Sequence, residues 1–276
     1  MQPAGNAAVE ASSPLATILV PTHSHASCLP HSVGSALRQT VGDFELLLVG
    51  DGVTAETRTA SRALVASDPR IRFLDWPKGE RKGEYHRHAA LQEARGQIVA
   101  YLGDDDIWFP DHLEHQLRSL RHADFANTLH LGLGRDGAPF FTGGSLLVPA
   151  MRRRMLRERY NLFDMTFGAH TLAAYRRLAR GWEPPPPEFG ASDLHLWRSF
   201  LSEPWCRATT ALIPTGICTQ THLRPHLSDV ERAAELARLA ELSQQPAWVE
   251  RLRRSVGWRL VARLFFPRAN RLPAFG

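Results

Sequence analysis

The sequence alternates short apolar runs with helical segments, and this alternation constrains the fold more than any other feature. Each apolar run is a candidate strand, and the segments between the runs carry apolar residues at helical spacing. Such alternation is typical of βαβ units, whose strands lie parallel in one sheet. We therefore predict an α/β fold with a mostly parallel central sheet and helices on both faces. The predicted strands are Thr17–Val20, Phe44–Val49, Ile71–Leu74 and Ile98–Leu102, and the helices between them are Leu29–Gln39, Thr54–Ala66 and Glu84–Ala94.

Three consecutive aspartates, Asp104–Asp106, follow the fourth predicted strand. The carboxyl ends of parallel strands lie at one edge of a sheet, where ligands bind. We therefore expect Thr22 and Asp51, which end two other strands, to lie near these aspartates. Clustered carboxylates repel one another unless they are solvated or neutralised, and their oxygens suit Mg²⁺ or Mn²⁺. The alternative is a solvated turn that leads into a helix opened by Pro110.

Composition and missing motifs exclude several classes of protein. The chain has 276 residues, is 43% hydrophobic and carries a formal net charge of +5, so it can bury a sizeable core. The sequence contains no dinucleotide fingerprint, P-loop or nucleic-acid-binding signature. The sequence has no run of about 18 apolar residues, so no membrane span is predicted. Residues 1–14 do not resemble a signal peptide. The three cysteines lack CxxC spacing, so a reducing cytoplasm is the expected compartment.

The sequence patterns over residues 110–214 predict a mixture of strands and helices. A run of four prolines after Trp182 predicts a stiff loop, because proline lacks a backbone N–H. Asp193 is either a helix N-cap or a carboxylate held at a helix start for catalysis. We expect His170 and Trp182 to be core residues rather than residues of an acceptor pocket. The predicted elements are strands Thr128–Leu133, Phe140–Val148 and Ala208–Ile213 and helices Pro110–Arg121, Pro149–Tyr160 and His170–Leu178.

Five segments, in order, resemble the motifs of the family 2 glycosyltransferases, which have the GT-A fold. The resemblance implies a Rossmann-like GT-A domain, which we place over residues 15–225. We expect a flexible N-terminus over 1–14 and a basic helical C-terminal extension over 226–276. The segments are Ile18–Thr22, similar to the opening strand; Ser35–Thr40, similar to S-x-x-x-Q-T; Phe44–Gly52, similar to FELIVVDDGS; Gly103–Pro110, similar to DDDDIWxP; and Ser192–Trp197, similar to E-D-x-x-L-W.

This resemblance implies an enzyme that transfers a sugar from a nucleotide-sugar donor to an acceptor hydroxyl, with inversion at the anomeric carbon. A UDP-sugar is the expected donor, and a carbohydrate or lipid-linked molecule is the expected acceptor. The donor would be bound by Thr22, Asp51, Arg87 and Asp104, and Asp51 would accept a hydrogen bond from the nucleobase. Nucleic acid is not an expected partner.

The resemblance also implies a metal-assisted reaction. Mn²⁺ or Mg²⁺ would be held by Asp105 and Asp106, and His222 would be a further ligand. Asp193 would be the general base that takes the proton of the acceptor hydroxyl, a role that typically contributes ~10²–10⁴-fold to the rate.

Three positions depart from the family's motifs, because Gly50, Gly103 and Ser192 stand where acidic residues are expected. These departures motivate a second hypothesis, a catalytically degenerate GT-A domain that binds a nucleotide-sugar or a protein. A third hypothesis is nucleotidyl transfer on the same fold. It is disfavoured because residues 22–27 contain no lysine or arginine.

The C-terminal segment is basic and amphipathic. Seven arginines and no acidic residue occur from Arg251 to the end, and apolar residues recur at helical spacing over Pro246–Phe266. This tail either packs on the catalytic domain or a second subunit, or rests on an anionic membrane at its inner face, which would suit a lipid-linked acceptor. Packing is the favoured placement.

Overall fold

The computed structural model describes residues 13–187 and 189–262 of the chain. Its first half alternates strands and helices as predicted. Local signals set several boundaries: Pro30 lies in the first turn of the first helix, and the Thr54 side chain caps the second by accepting a hydrogen bond from the Thr57 N–H. The elements are β1 (Ala16–Thr22), α1 (Leu29–Leu37), β2 (Phe44–Asp51), α2 (Ala55–Ser67), β3 (Ile71–Trp76), α3 (Glu84–Gln92) and β4 (Ile98–Tyr101).

The second half begins with a short strand and ends with two consecutive helices. Its elements are β5 (Ile107–Trp108), α4 (His112–Leu120), β6 (Phe125–Leu133), β7 (Pro139–Thr142), α5 (Pro149–Arg157), β8 (Gly168–Thr171), α6 (Leu172–Arg177), α7 (Ser192–Ser202), β9 (Ala208–Pro214), β10 (Gly216–Ile217), α8 (Asp229–Ser243) and α9 (Pro246–Ala262).

The main sheet has the strand order β3-β2-β1-β4-β8-β6-β7, and β9 pairs with β6. The first four strands are parallel to one another, whereas β8 is antiparallel to both β4 and β6. The predicted mostly parallel sheet is therefore confirmed, with an antiparallel strand at its centre. Because β1, β2 and β4 run the same way, the residues that follow them meet at one edge.

Several predicted boundaries are wrong, and three of them have an identifiable cause. The predicted helix His170–Leu178 begins at Leu172, since His170 lies on β8 between two strands. The helix predicted to open at Pro110 begins at His112, because the Pro110 carbonyl accepts a hydrogen bond from Thr40 instead. The strand predicted over Phe140–Val148 ends at Thr142, where two glycines follow.

The C-terminal helices complete the apolar core. Four apolar residues of α9 are buried in a cluster that also contains Phe109 and residues of β6. On the same helix, Arg253 makes a bidentate ion pair with Asp111 at 2.7 and 2.8 Å. The predicted packing of the tail is thus confirmed for residues 246–262. Residues 263–276 and most of the predicted N-terminal segment lie outside the described residues. Within residues 13–187 and 189–262, no helix combines the length and apolarity needed to cross a bilayer.

Candidate active site

The turn after β4 places the aspartates at the carboxyl edge of the sheet. The Thr22 hydroxyl donates to Asp104 Oδ2 at 2.7 Å, and His25 Nδ1 lies 2.9 Å from Asp104 Oδ1. The hydrogen bond with Asp104 raises the pKa of His25 to about 9, assisted by the charges of Asp104 and Asp105 and opposed by burial. Asp104 therefore joins this turn to the loop after β1, and the predicted convergence with Thr22 is confirmed.

Asp105 and Asp106 have different surroundings despite being neighbours. Asp105 is half-buried and accepts a hydrogen bond from the Thr221 hydroxyl. Asp106 is 2% exposed, and its two oxygens accept from the Thr219 N–H at 2.9 Å and from the Thr166 hydroxyl. Burial, together with the adjacent carboxylate, raises the pKa of both. Asp105 is the more available ligand, while Asp106 ties the turn to the segment that follows β10.

Among the residues that the structure describes, two groups bring three potential ligand atoms within 4.8 Å of one another. One contains a cysteine, and burial raises the pKa of that thiol well above its usual value, so it is a soft, protonated group that does not suit Mg²⁺ or Mn²⁺. The other also has two carboxylates but carries His25 in place of the cysteine, and its carboxylate oxygens fit a hard divalent cation. The groups are Asp106, Asp164 and Cys218, and His25, Asp104 and Asp105.

His222 lines a cavity of about 360 Å³ together with Asp104–Asp106, which we call the aspartate cavity. Its ring belongs to neither group of converging ligand atoms within the described chain. The backbone before it is held by Gln220, which has a left-handed φ of 52° and whose side-chain amide lies 3.0 Å from His130 Nε2. Burial lowers the pKa of His130 to about 4, so its neutral ring can accept this hydrogen bond. A metal-binding role for His222 stays a prediction.

Asp51 ends β2 and lines a second cavity of about 410 Å³, the Asp51 cavity, together with Thr22 and Asp104. Its carboxylate accepts a hydrogen bond from the Gly79 N–H at 2.6 Å and pairs with Lys78. Burial opposes ionisation, but the hydrogen bonds from Lys78 and Gly79 outweigh it and lower the pKa of Asp51. The convergence of this residue with the aspartates is confirmed, and its ionised carboxylate can accept a hydrogen bond from a ligand.

Arg87 on α3 is 7% exposed, and its guanidinium carbon lies 4.6 Å from the ring centre of Trp182. Its Nε has no hydrogen-bond partner among the described residues. The indole of Trp182 donates to the Tyr101 hydroxyl at 3.0 Å, and that hydroxyl lies 2.7 Å from His170 Nε2. Buried hydrogen bonds through Tyr101 and His170 therefore fix the Trp182 ring on which Arg87 stacks. His170 is a core residue as predicted, whereas Trp182 is buried and also lines a cavity.

Asp193 lies in the first turn of α7 and lines the Asp193 cavity, which has a volume of about 590 Å³. The N-cap of this helix is Ala191, so the interpretation of Asp193 as an N-cap residue is wrong. Its oxygens accept hydrogen bonds from Asn161 Nδ2 at 2.7 Å and from the Leu194 N–H at 2.8 Å. Burial nevertheless raises the pKa of Asp193. A fixed carboxylate of raised pKa is suited to accept a proton.

Asp164 and Lys82 line these cavities although the sequence analysis did not predict either. Asp164 lines both the aspartate cavity and the Asp193 cavity, and burial, followed by the charge of Asp193, raises its pKa. No sequence pattern marks it, because buried Leu162 and Phe163 place its loop. Lys82 lines both the Asp51 and Asp193 cavities. A sequence signal was present for Lys82, since it is one of only two lysines in the sequence and lies five residues before Arg87.

The three motif departures have physical explanations. A Cβ at Gly103 would lie 2.6 Å from the Asp106 carboxylate, so the space for a side chain is already filled. A Cβ at Gly50 would lie 3.0 Å from the ring of Phe73. The Ser192 hydroxyl donates to Glu84 of α3, which supplies a carboxylate beside the start of α7.

Comparison with known proteins identifies the family. The model of "Glycosyl transferase family 2" matches residues 17–180, which is more than half of the chain. The chain belongs to glycosyl transferase family 2. The matched region contains the aspartate turn, Asp51, Arg87 and Asp164, and ends before Asp193.

Two curated relatives illustrate how far the sequence similarity of this family 2 chain extends. It is 34% identical over 105 residues to the Escherichia coli UDP-Glc:alpha-D-GlcNAc-diphosphoundecaprenol beta-1,3-glucosyltransferase WfgD, covering 37% of this chain and 40% of the relative. It is 31% identical over 130 residues to the putative teichuronic acid biosynthesis glycosyltransferase TuaG of Bacillus subtilis, covering 46% and 50%. The chain thus spans half or less of the length of these relatives.

Solved structures support the GT-A fold over nearly the whole chain. S. aureus TarS superposes with a TM-score of 0.57 and 15% identity, covering 92% of this chain and 73% of that one. The mannosyltransferase PcManGT from Pyrobaculum calidifontis, in complex with GDP-Man and Mn²⁺, gives a TM-score of 0.53 and 16% identity, covering 93% and 84%. At such identities the likeness concerns the fold, and the predicted fold class is confirmed.

Proposed function

We propose that this family 2 protein transfers a sugar from a nucleoside-diphosphate sugar to an acceptor hydroxyl, with inversion at the anomeric carbon and with assistance from a divalent cation. The observation that supports it best is that the three cavities share lining residues. Asp104 is common to the Asp51 and aspartate cavities, and Asp164 is common to the aspartate and Asp193 cavities. A carboxylate site suited to a metal therefore adjoins a fixed carboxylate suited to general-base catalysis.

At the nucleoside end, Asp51 accepts a hydrogen bond from the base, and Thr22 and Asp104 contact the ribose. A UDP-sugar is the expected donor, and the N3–H of its uracil can donate to the ionised Asp51 carboxylate. The titles of solved relatives name both UDP-GlcNAc, for TarS, and GDP-Man, for PcManGT. They support a nucleotide-sugar donor, and the nucleobase is to be determined by the titration described below.

The cation would be held by Asp104 and Asp105, with Asp106 and His222 as further ligands. When bound, Mn²⁺ or Mg²⁺ stabilises the negative charge that builds on the departing diphosphate. The presence of Mn²⁺ with PcManGT supports this assignment. Arg87 lines two of the three cavities.

Asp193 takes the proton of the acceptor hydroxyl as the hydroxyl oxygen attacks the anomeric carbon. Asn161 and the Leu194 N–H orient the carboxylate, and its raised pKa favours proton uptake. Attack from the side opposite to the diphosphate inverts the anomeric configuration. The acceptor is a carbohydrate, free or lipid-linked; the name of WfgD, which includes a diphosphoundecaprenol acceptor, supports the lipid-linked form.

The donor site is tested by calorimetric titration of UDP and GDP into the wild type and Asp105→Asn, each with Mn²⁺ and with EDTA. We expect wild-type binding that requires the metal, and at least a tenfold loss of affinity in Asp105→Asn, because one anionic ligand is removed. The nucleotide that binds more tightly identifies the nucleobase of the donor. Absence of metal-linked binding to either nucleotide would contradict the proposal and favour the degenerate domain.

The role of Asp193 as general base is tested by comparing Asp193→Asn with Asp43→Asn. The second variant changes an exposed carboxylate that immediately precedes β2. Removal of a general base should lower kcat by about 10²–10⁴-fold. The affinity for the donor nucleotide should change little, since Asp193 contacts the acceptor. Asp43→Asn should retain wild-type kcat. Transfer by Asp193→Asn at the wild-type rate would exclude this residue as the base.

A further inference from the structure

The loop between β3 and α3 carries both lysines of the sequence, Lys78 and Lys82. Lys82 lines the Asp51 cavity and also the Asp193 cavity. In a nucleoside-diphosphate sugar, the two phosphates lie between the nucleoside and the sugar that is transferred. A residue that lines both the nucleoside cavity and the transfer cavity therefore lies where the diphosphate must pass.

The cavities are rich in carboxylates, so a bound diphosphate needs positive charge beyond that of one cation. Two of the cationic side chains that line them are already paired with carboxylates: Lys78 pairs with Asp51, and His25 pairs with Asp104.

The buried guanidinium of Arg87 donates to the Lys82 carbonyl. Of the three cavities, Arg81 lines the Asp51 cavity alone. Lys82 forms no ion pair with a described carboxylate, and its ammonium contacts only the neutral Gly190 carbonyl, at 3.4 Å. Its charge is exposed and available to an anionic ligand.

The backbone of Lys82 is fixed while its side chain stays free to move. Its N–H donates to Glu84 Oε2 at 3.0 Å, and its carbonyl accepts from Arg87 Nη2 at 2.6 Å. Glu84 is fully buried and also accepts a hydrogen bond from Ser192, next to Asp193. The position of the loop relative to α7 is therefore set before any ligand binds, and only one side chain must be ordered on binding.

We propose that the Lys82 ammonium binds the β-phosphate of the donor and of the nucleoside-diphosphate product. This inference rests on the proposed function and adds a second, protein-borne charge to the metal. As the bond between the anomeric carbon and the phosphate oxygen breaks, its electron pair passes to that oxygen. Lys82 stabilises the resulting charge through charge-assisted hydrogen bonds, while the acceptor proton passes to Asp193.

The test separates phosphate binding from binding of the nucleoside. Calorimetry with Mn²⁺ measures the affinities of wild type, Lys82→Met and Lys82→Arg for UDP and for uridine, with GDP and guanosine in parallel. We expect Lys82→Met to weaken the diphosphate about 10- to 100-fold, the range of a charge-assisted hydrogen bond, and to leave nucleoside affinity unchanged. Lys82→Arg, which keeps the charge, should recover most of the loss.

Two further variants serve as comparisons. Arg62→Met removes an exposed cation of α2 that lines none of the three cavities and should bind both ligands like the wild type. Lys78→Met should weaken nucleoside and diphosphate alike, because Lys78 contacts Asp51.

Wild-type nucleotide affinity in Lys82→Met would overturn the inference and leave the proposed function intact. An equal loss for nucleoside and diphosphate would also overturn it, since that result would show a structural role for the loop. Failure of the wild type to bind either diphosphate would instead overturn the proposed function, and the inference with it.

Discussion

At the scale of single residues, hydrogen bonds give identical side chains different chemistry. Asp104 is engaged by Thr22 and His25, Asp105 is half-buried beside a cavity, and Asp106 is held by a backbone N–H and a hydroxyl. The sequence predicts that the three converge with other strand ends. The pattern of strand ends does not distinguish their surroundings, because the partners of Asp106 come from segments more than fifty residues away.

His170 could in principle act as an acid, a base or a metal ligand, but in this fold it is a buried, hydrogen-bonded core residue. Its Nδ1 lies 3.0 Å from the Thr171 carbonyl, its Nε2 faces the Tyr101 hydroxyl, and burial lowers its pKa to about 4. Because the unfolded chain takes up a proton near pH 6.5 and the folded chain does not, this site contributes stability above pH 6.5. That stability is lost as the pH falls toward 4. The full contribution is about 3 kcal/mol.

Urea unfolding of the wild type and His170→Gln at a series of pH values between 7.5 and 4 tests this prediction. The free energy of unfolding of the variant should fall less steeply with decreasing pH, by up to about 3 kcal/mol over the range. His122→Gln, which changes an exposed histidine, should keep the wild-type slope. Parallel curves for wild type and His170→Gln would show that this ring titrates normally.

At the scale of elements, local sequence signals predict the βαβ half well. Apolar runs and a helix cap suffice there because each strand pairs with its neighbours in a regular parallel order. They fail where an element depends on distant pairing. The short β8 is a strand because β4 and β6 flank it, and no pattern over four residues separates such a strand from the start of a helix.

Replacing either of two glycines by alanine should change the free energy of unfolding, but in opposite directions. Gly83 precedes α3 with a φ of 71°, and a Cβ there would lie 2.8 Å from the Asp51 carboxylate carbon. Gly83→Ala should lower the free energy of unfolding by about 1–2 kcal/mol through left-handed strain and should weaken nucleotide binding. Gly257 lies inside α9 with open space around its Cα, so Gly257→Ala should raise stability by about 0.5–1 kcal/mol.

Thermal and urea unfolding of both variants measure these changes, and a UDP titration measures the effect on the Asp51 cavity. The two variants should differ in the sign of the stability change, and only Gly83→Ala should change nucleotide affinity. Unchanged or raised stability in Gly83→Ala would contradict the structural account of the turn before α3, and lowered stability in Gly257→Ala would contradict that of α9.

At the scale of the whole molecule, α9 presents two unlike faces. The inner face fills the core, and Val256 is fully buried. The outer face exposes Arg251, the ion pair of Arg254 with Glu250 at 3.4 Å, and Trp258, which is 75% exposed. The sequence predicts an amphipathic helix here but not which face is covered, because that depends on contact with Phe109 and β6. We propose that the outer face contacts the anionic inner surface of a membrane.

Sedimentation with vesicles tests this proposal on the intact chain. Substitution is preferable to deletion, since loss of α9 would expose the core. We expect binding to vesicles that contain acidic lipid but not to purely zwitterionic ones. The double variant Arg254→Gln with Trp258→Ser should bind several-fold more weakly, and Arg62→Gln should bind like the wild type. Unchanged binding by the double variant would exclude this face as the contact.

The loop that holds Lys78 and Lys82 has a consequence for chemical work on the protein. Apart from a terminal amine, these two side chains are the only primary amines in the sequence, whose other strongly basic residues are all arginines. Reagents that acylate amines therefore modify the mouth of the Asp51 cavity and little else. Coupling through amines to a surface or a dye would obstruct that cavity, whereas slower labelling in the presence of a nucleotide would report its occupancy directly.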